Sequence, residues 1–179
     1  MTNLQTTNSE RFSLSMRLFH WGMAALVVSM LAAGLLMITS LQPWQLTLLT
    51  VHKAFGVIAI ILVTARLINR LRHRLPPLPS DLSAAQQWGA KASHWLLYGL
   101  LFAMPLSGYL MQYFAGRPIE VFGWFRLPAA LQVDIHNYAL FRELHGWLAI
   151  ALIGMILLHV GAALHHHFVR KDNVLKSMW

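Results

Sequence analysis

The sequence predicts an all-α protein: an integral membrane four-helix bundle with both termini in the cytoplasm, forming a single domain over residues 1–179. The first observation is composition. The chain is 57% hydrophobic and 11% charged, with a mean hydropathy of +0.53, whereas soluble domains carry about 25% charged residues. The second is the placement of charge: residues 18–44, 92–116 and 144–169 contain no Asp, Glu, Lys or Arg. Each gap can hold the ~20 apolar residues that cross a bilayer. The third is that Lys and Arg alternate in density between successive connections, as they do when consecutive helices cross in opposite directions.

The elements follow in order. The first span is expected near 18–39; its apolar run is too long for a cleaved signal. The second, near 50–70, has Lys53 close to one end and Arg66 close to the other, and both side chains are long enough to snorkel to the headgroups. The third is expected near 93–113 and the fourth near 144–167. Arg11, Arg17, Arg66, Arg70, Arg72, Arg74, Lys91, Arg170, Lys171 and Lys176 fall on one side, against Lys53, Arg117, Arg126 and Arg142 on the other. The positive-inside rule therefore puts both termini and the 71–92 connection in the cytoplasm. That connection holds Pro76, Pro77 and Pro79, then Ser80 and Asp81 as an expected cap for a short helix. The outer connection, 114–143, carries Phe122, Trp124, Phe125, Tyr138 and Phe141. It is expected to lie on the bilayer surface over the end of the bundle.

No cysteine is present, which excludes disulfides, cysteinyl zinc, iron–sulfur clusters and covalently attached haem. The net charge of +8 sits at the helix ends and implies no nucleic-acid partner.

Imidazoles inside a span are costly and mark function. His20 and His94 fall near the inner ends of the first and third spans, His52 near the outer end of the second. His145 begins the fourth span on the outer side, and His159 lies 14 residues further on. Fourteen residues keep two side chains within about 40° of one face and separate them by ~21 Å. Two depth-matched pairs result, His52 with His145 and His20 with His159, and His94 competes at the inner depth. Each pair can hold one haem iron by two axial imidazoles, a saturated ligation suited to electron transfer. Glycines 22, 34, 56, 146, 154 and 161 lie within the spans and permit close approach of a helix or a flat macrocycle. Arg17 and Arg66 near the inner pair, and Lys53 and Arg142 near the outer one, are suited to pair with haem propionates. His73 and His136 are expected at the surface, and His165, His166 and His167 at the interface.

Several short stretches carry a family likeness: Phe19-His20-Trp21, His52-Lys53-Ala54-Phe55-Gly56, Val121-Phe122-Gly123-Trp124, Leu144-His145-Gly146, His159, and His165-His166-His167-Phe168 followed by Lys171-Asp172-Asn173. With this spacing the chain resembles the bacterial cytochrome b561 family over nearly its whole length. The resemblance implies a multi-pass protein of the bacterial inner membrane with two non-covalent b-type haems, and it favours His20 over His94 as the inner ligand. It also implies electron transfer between the periplasmic side and the quinone pool. One such activity is superoxide:ubiquinone oxidoreductase (superoxide oxidase). The alternative is a haem-bearing membrane subunit or anchor for a dehydrogenase or other soluble redox partner. For the first reading, Lys53 and Arg142 would steer a small anion such as superoxide to the outer mouth. His166, His167 and Arg170 would receive the ubiquinone headgroup on the inner side.

Overall fold

Long runs of Leu, Ala, Ile, Val and Met satisfy their backbone groups internally only as helices. The computed structural model describes residues 11–39, 42–73, 75–76 and 81–179, and four α-helices lie among them. They are α1 (Leu14–Thr39), α2 (Trp44–Arg72), α3 (Ala84–Phe114) and α4 (Ile135–His165). Each is ~40 Å or more in length at 1.5 Å per residue, beyond the ~30 Å of bilayer hydrocarbon. Neighbours in sequence pack on one another, α1 on α2, α2 on α3 and α3 on α4. This is the all-α bundle that the sequence predicts.

Among the described residues, Leu14–Thr39, Trp44–Arg72 and Ile135–Arg170 are long and apolar enough to cross a membrane. α3 is as long but more polar. Its Ser107 and Gln112 are buried, as is Tyr98, so its polar groups face the bundle.

All four helices begin earlier than the charge gaps suggest, α1 at Leu14 rather than near 18. α2 starts at Trp44 rather than near 50. α3 starts at Ala84, where Ser83 and Gln86 form a reciprocal capping box. No separate helix follows Asp81, and Pro77, Pro79, Ser80 and Arg74 lie outside the described residues. α4 starts at Ile135, capped by the Asp134 carboxylate, which accepts from the Asn137 N–H at 3.0 Å. That bond, together with one from the Asn137 side chain, holds the half-buried Asp134 carboxyl below its ordinary range. Lys91, Arg142 and Glu143 thus lie within helices rather than at their ends.

The outer connection is folded. β1 (Ile119–Val121) pairs antiparallel with β2 (Phe125–Leu127). Phe122 and Gly123, at the turn, both have positive φ, the pattern of the hairpin turn whose twist matches the strands. Phe122 is held there with its ring 5.2 Å from that of Phe55 on α2. Buried Ile119 and Val121 pack with Val57, so the hairpin caps the bundle between α2 and α3. Tyr138 and Phe141, expected in a loop, belong to α4, and Phe141 stacks on Phe114 at 5.6 Å.

The core is a layer of Met23, Val27, Val63, Tyr98, Leu100 and Leu152. Leu152 is midway along α4 between His145 and His159, so this apolar layer separates the two histidine depths.

Candidate functional site

The outer half of the bundle encloses a cavity of about 1130 Å³, lined by His52 from α2 and His145 from α4 together with Lys53, Arg142 and Gln112. Ligand pockets commonly measure ~300–1,000 Å³, so this one has room for a large cofactor. Its walls are otherwise mainly apolar, including Val27, Met30 and Leu101, and the hairpin residues Ile119 and Leu127 close its outer side. Gly34, Gly56, Gly108 and Gly146 also line it. A Cβ on Gly34 would stand 3.9 Å from His52 Cε1, and one on Gly108 only 3.0 Å from His145 Cε1.

His145 Nδ1 lies 3.0 Å from the Met104 carbonyl oxygen and 3.0 Å from Ser107 Oγ. A carbonyl only accepts, so Nδ1 donates to it and carries the ring proton. Nε2 keeps its lone pair, the arrangement usual for a metal-ligating imidazole. His52 Nδ1 is buried without a hydrogen-bond partner. The fold brings the predicted outer pair to one cavity, clears space with glycine and leaves a polar atom unsatisfied there, all of which fits a bis-imidazole haem.

At the inner depth, the rings of His20 and His159 are 6.1 Å apart. His94 approaches His159 equally closely, at 5.7 Å. Two imidazoles sharing one metal through ~2 Å bonds leave their centroids roughly 6 Å apart, so both spacings suit ligation. Arg66 Nη2 donates to His20 Nδ1 at 2.8 Å; the neutral His20 ring then carries its proton on Nε2, so ligation through Nε2 would require this hydrogen bond to be exchanged. The Arg66 guanidinium lies over the Tyr98 ring at 5.5 Å. Arg70 covers the same ring from 5.5 Å. A Cβ on Gly22 or Gly161 would meet nothing within 4 Å, which leaves room beside His20 and His159. Arg17 turns the other way: its guanidinium donates to the Trp179 main-chain oxygen, and its Nε is buried without a partner. Among the described residues no group of three or more His, Cys, Asp or Glu is arranged to hold a bare metal ion.

Beyond α4 the chain makes a π-helical turn, His166–Arg170, and folds back. Asp172 ties it down, accepting from His166 Nδ1 at 2.6 Å and from Arg170 Nε at 3.4 Å, while Arg170 also reaches Asp81 across the 71–92 connection. His167 packs edge-on against Phe168 at 4.8 Å. The predicted inner-face residues therefore sit together, with His166 and Arg170 already engaged by Asp172. Burial alone would push the Asp172 carboxyl up. Hydrogen bonds from His166, the Val174 N–H and Arg170 outweigh it and hold the group below its ordinary range. A depressed carboxyl contributes stability above its unfolded-state value, near pH 4, and that contribution disappears as pH falls through the lower folded value. The protection of the Val174 amide, measured against its intrinsic exchange rate at each pH, is expected to fall below about pH 4 in wild type; Asp172→Ala is expected to lack that protection already at neutral pH.

Residues 11–179 match the family model of prokaryotic cytochrome b561. The chain belongs to that family. It is 39% identical over 177 residues to cytochrome b561 homolog 2 of Escherichia coli K12, covering 97% of this chain and 93% of the relative. It is 32% identical over 139 residues to the probable superoxide oxidase CybB of Yersinia pestis, covering 78% and 77%. Cytochrome b561 homolog 1 of Escherichia coli K12 is 28% identical over 175 residues, 94% and 96% of the two chains. As a prokaryotic cytochrome b561, the protein is a haem b-binding, multi-pass inner-membrane protein of electron transfer.

Sequence reasoning misses three contributors to the outer site of this cytochrome: Ser107, Gly108 and Gln112. A serine, a glycine and a glutamine within eight residues of Pro105 on one apolar helix were the available signal, because lipid-facing helices rarely carry such groups without an interior use.

Proposed function

We propose that this cytochrome carries electrons from superoxide on the periplasmic side to ubiquinone at the inner side, using two haems held by His52–His145 and His20–His159. In balance, two superoxide anions give up one electron each and leave as two dioxygen molecules, and one quinone takes up the two electrons with two protons. The haems, when bound, supply one-electron stations at two depths. The observation that carries the reading is the meeting of two histidine pairs at those depths, with Lys53 and Arg142 on the wall of the outer cavity.

The chain's own residues would act as follows. Lys53 and Arg142 make the outer mouth positive and raise the local concentration of a small anion. Arg66 is the inner cation available to propionates; Arg17, engaged by the Trp179 main-chain oxygen, points away. The quinone headgroup would sit against His166, His167 and Arg170. Arg170 is oriented there by Asp81 and Asp172, and the imidazoles offer ring nitrogens for hydrogen bonds to the quinone oxygens.

The test is stopped-flow mixing of superoxide with the oxidised, haem-loaded protein. Fast haem reduction, followed by reoxidation only when quinone is present, is expected. If superoxide leaves the haems oxidised while dithionite reduces them, the activity is wrong, and the chain is a haem-bearing membrane subunit serving a soluble dehydrogenase or other redox partner. Steering makes a further prediction. The double variant Lys53→Gln, Arg142→Gln is expected to be reduced by superoxide more slowly and with a flatter dependence on ionic strength, since screening sets in over ~8 Å at physiological salt. An unchanged rate and salt slope in a variant with full haem content removes the steering role.

A further inference from the structure

Ser107 is 2% exposed. Its Oγ stands 2.8 Å from the Met104 carbonyl oxygen and 3.0 Å from His145 Nδ1, and Nδ1 is itself 3.0 Å from the same carbonyl. A serine hydroxyl in a membrane helix often bonds a carbonyl one turn back to satisfy itself, and the bond to Met104 alone would be no more than that. The contact with His145 is different, because it crosses from α3 to α4. It also meets the nitrogen opposite the one free to ligate. The next residue, Gly108, is where a Cβ would come 3.0 Å from His145 Cε1 and 3.3 Å from its Nδ1. One turn of α3 thus grips the ring: two oxygens at Nδ1 and bare backbone along the neighbouring edge. His52, across the same cavity, has a buried Nδ1 with no partner. The two imidazoles of the outer pair are therefore chemically unequal.

We propose that Ser107 is a positioning residue for the outer haem. Its hydroxyl shares the His145 Nδ1 proton with the Met104 carbonyl, fixes the plane and tautomer of the ring, and makes Nε2 a stronger electron donor. An acceptor at the outer N–H of a ligating imidazole raises the basicity of the ligand. A more basic ligand favours the oxidised iron, so the hydroxyl lowers the midpoint potential of the outer haem. Lowering the potential at the end where electrons enter in the proposed direction favours their onward transfer to the inner haem. The inference rests on His145 as an axial ligand.

The test uses the haem-loaded protein and compares Ser107→Thr with Ser107→Val, two side chains of nearly the same shape that differ by the hydroxyl, alongside Ser107→Ala. Potentiometric titration followed optically, and the low-spin EPR signals of the oxidised form, are the readouts. The Val and Ala variants are expected to raise the midpoint of one haem and shift its EPR signal, with the other haem unmoved and the Thr variant close to wild type. Identical outer-haem midpoints and EPR signals in the Thr and Val variants would overturn the proposal. His145→Ala separates this from failure of the underlying reading: if that variant keeps both haems, His145 is not a ligand and the role of Ser107 falls with it.

Discussion

Replacing His52 or His145 by Ala is expected to empty the outer haem site and spare the inner one; replacing His20 or His159 is expected to do the converse. Each change is expected to remove about half of the bound haem, because one of two axial bonds is lost at one depth only. The sites are insulated from each other by distance and by packing. His145 and His159 stand ~21 Å apart along α4, and the layer containing Val63 and Leu152, 0% and 2% exposed, fills the bundle between them. Pyridine haemochrome content together with redox-resolved spectra reads the outcome. The inner depth carries an internal control, since His94 and His20 both approach His159. If His94→Ala empties the inner site and His20→Ala does not, the inner ligand is His94. If any single ligand change empties both depths, the two-site arrangement is wrong.

Gly108→Val is expected to be nearly as damaging as losing a ligand, although it replaces none of the ligand side chains. A Cβ at this position already stands 3.0 Å from His145 Cε1, tighter than nine in ten real Cβ contacts, and Val adds two methyl groups. The ring has little freedom to retreat, because its Nδ1 is held by Met104 O and Ser107 Oγ. Either the hydrogen bonds break or α3 and α4 separate, and overpacking of this kind costs ~1–3 kcal/mol or more. Selective loss of the outer haem, with the inner spectrum and helix content retained, is the expected result. Gly146→Ala is the matched control: its Cβ would meet nothing within 4 Å, so its haem content should be close to wild type. Full outer-haem loading in Gly108→Val would show that the His145 ring is free to move.

What the sequence alone determined was set by distance along the chain and by the cost of charge in hydrocarbon. Charge-free lengths near 20 residues define spans, the sidedness of Lys and Arg defines topology, and a count of residues from each span end assigns every histidine a depth. Depth suffices to propose His20 with His159 and His52 with His145, because helices crossing one bilayer share a common axis direction. The same charge logic misplaced helix starts. Trp44, Ala84 and Ile135 are set by local capping and backbone geometry, which charge does not report.

Rotation about each helix axis was decided only by tertiary packing. Apart from their histidines, the long uncharged stretches of α1 and α4 are apolar on every face, so no 3.6-residue hydrophobic stripe announces which side is inward. Whether Ser107 meets His145 or lipid depends on the relative rotation of α3 and α4. So does the closeness of Gly108 to the same ring, and the rotation of α2 decides that Arg66 reaches His20. The hairpin belongs to this class too. Phe122 takes a positive φ against its own preference because its ring is held by Phe55, a contact between residues far apart in sequence. Local chemistry along one strand of sequence encodes depth; the contacts that bring several helices to one imidazole exist only once the bundle has packed.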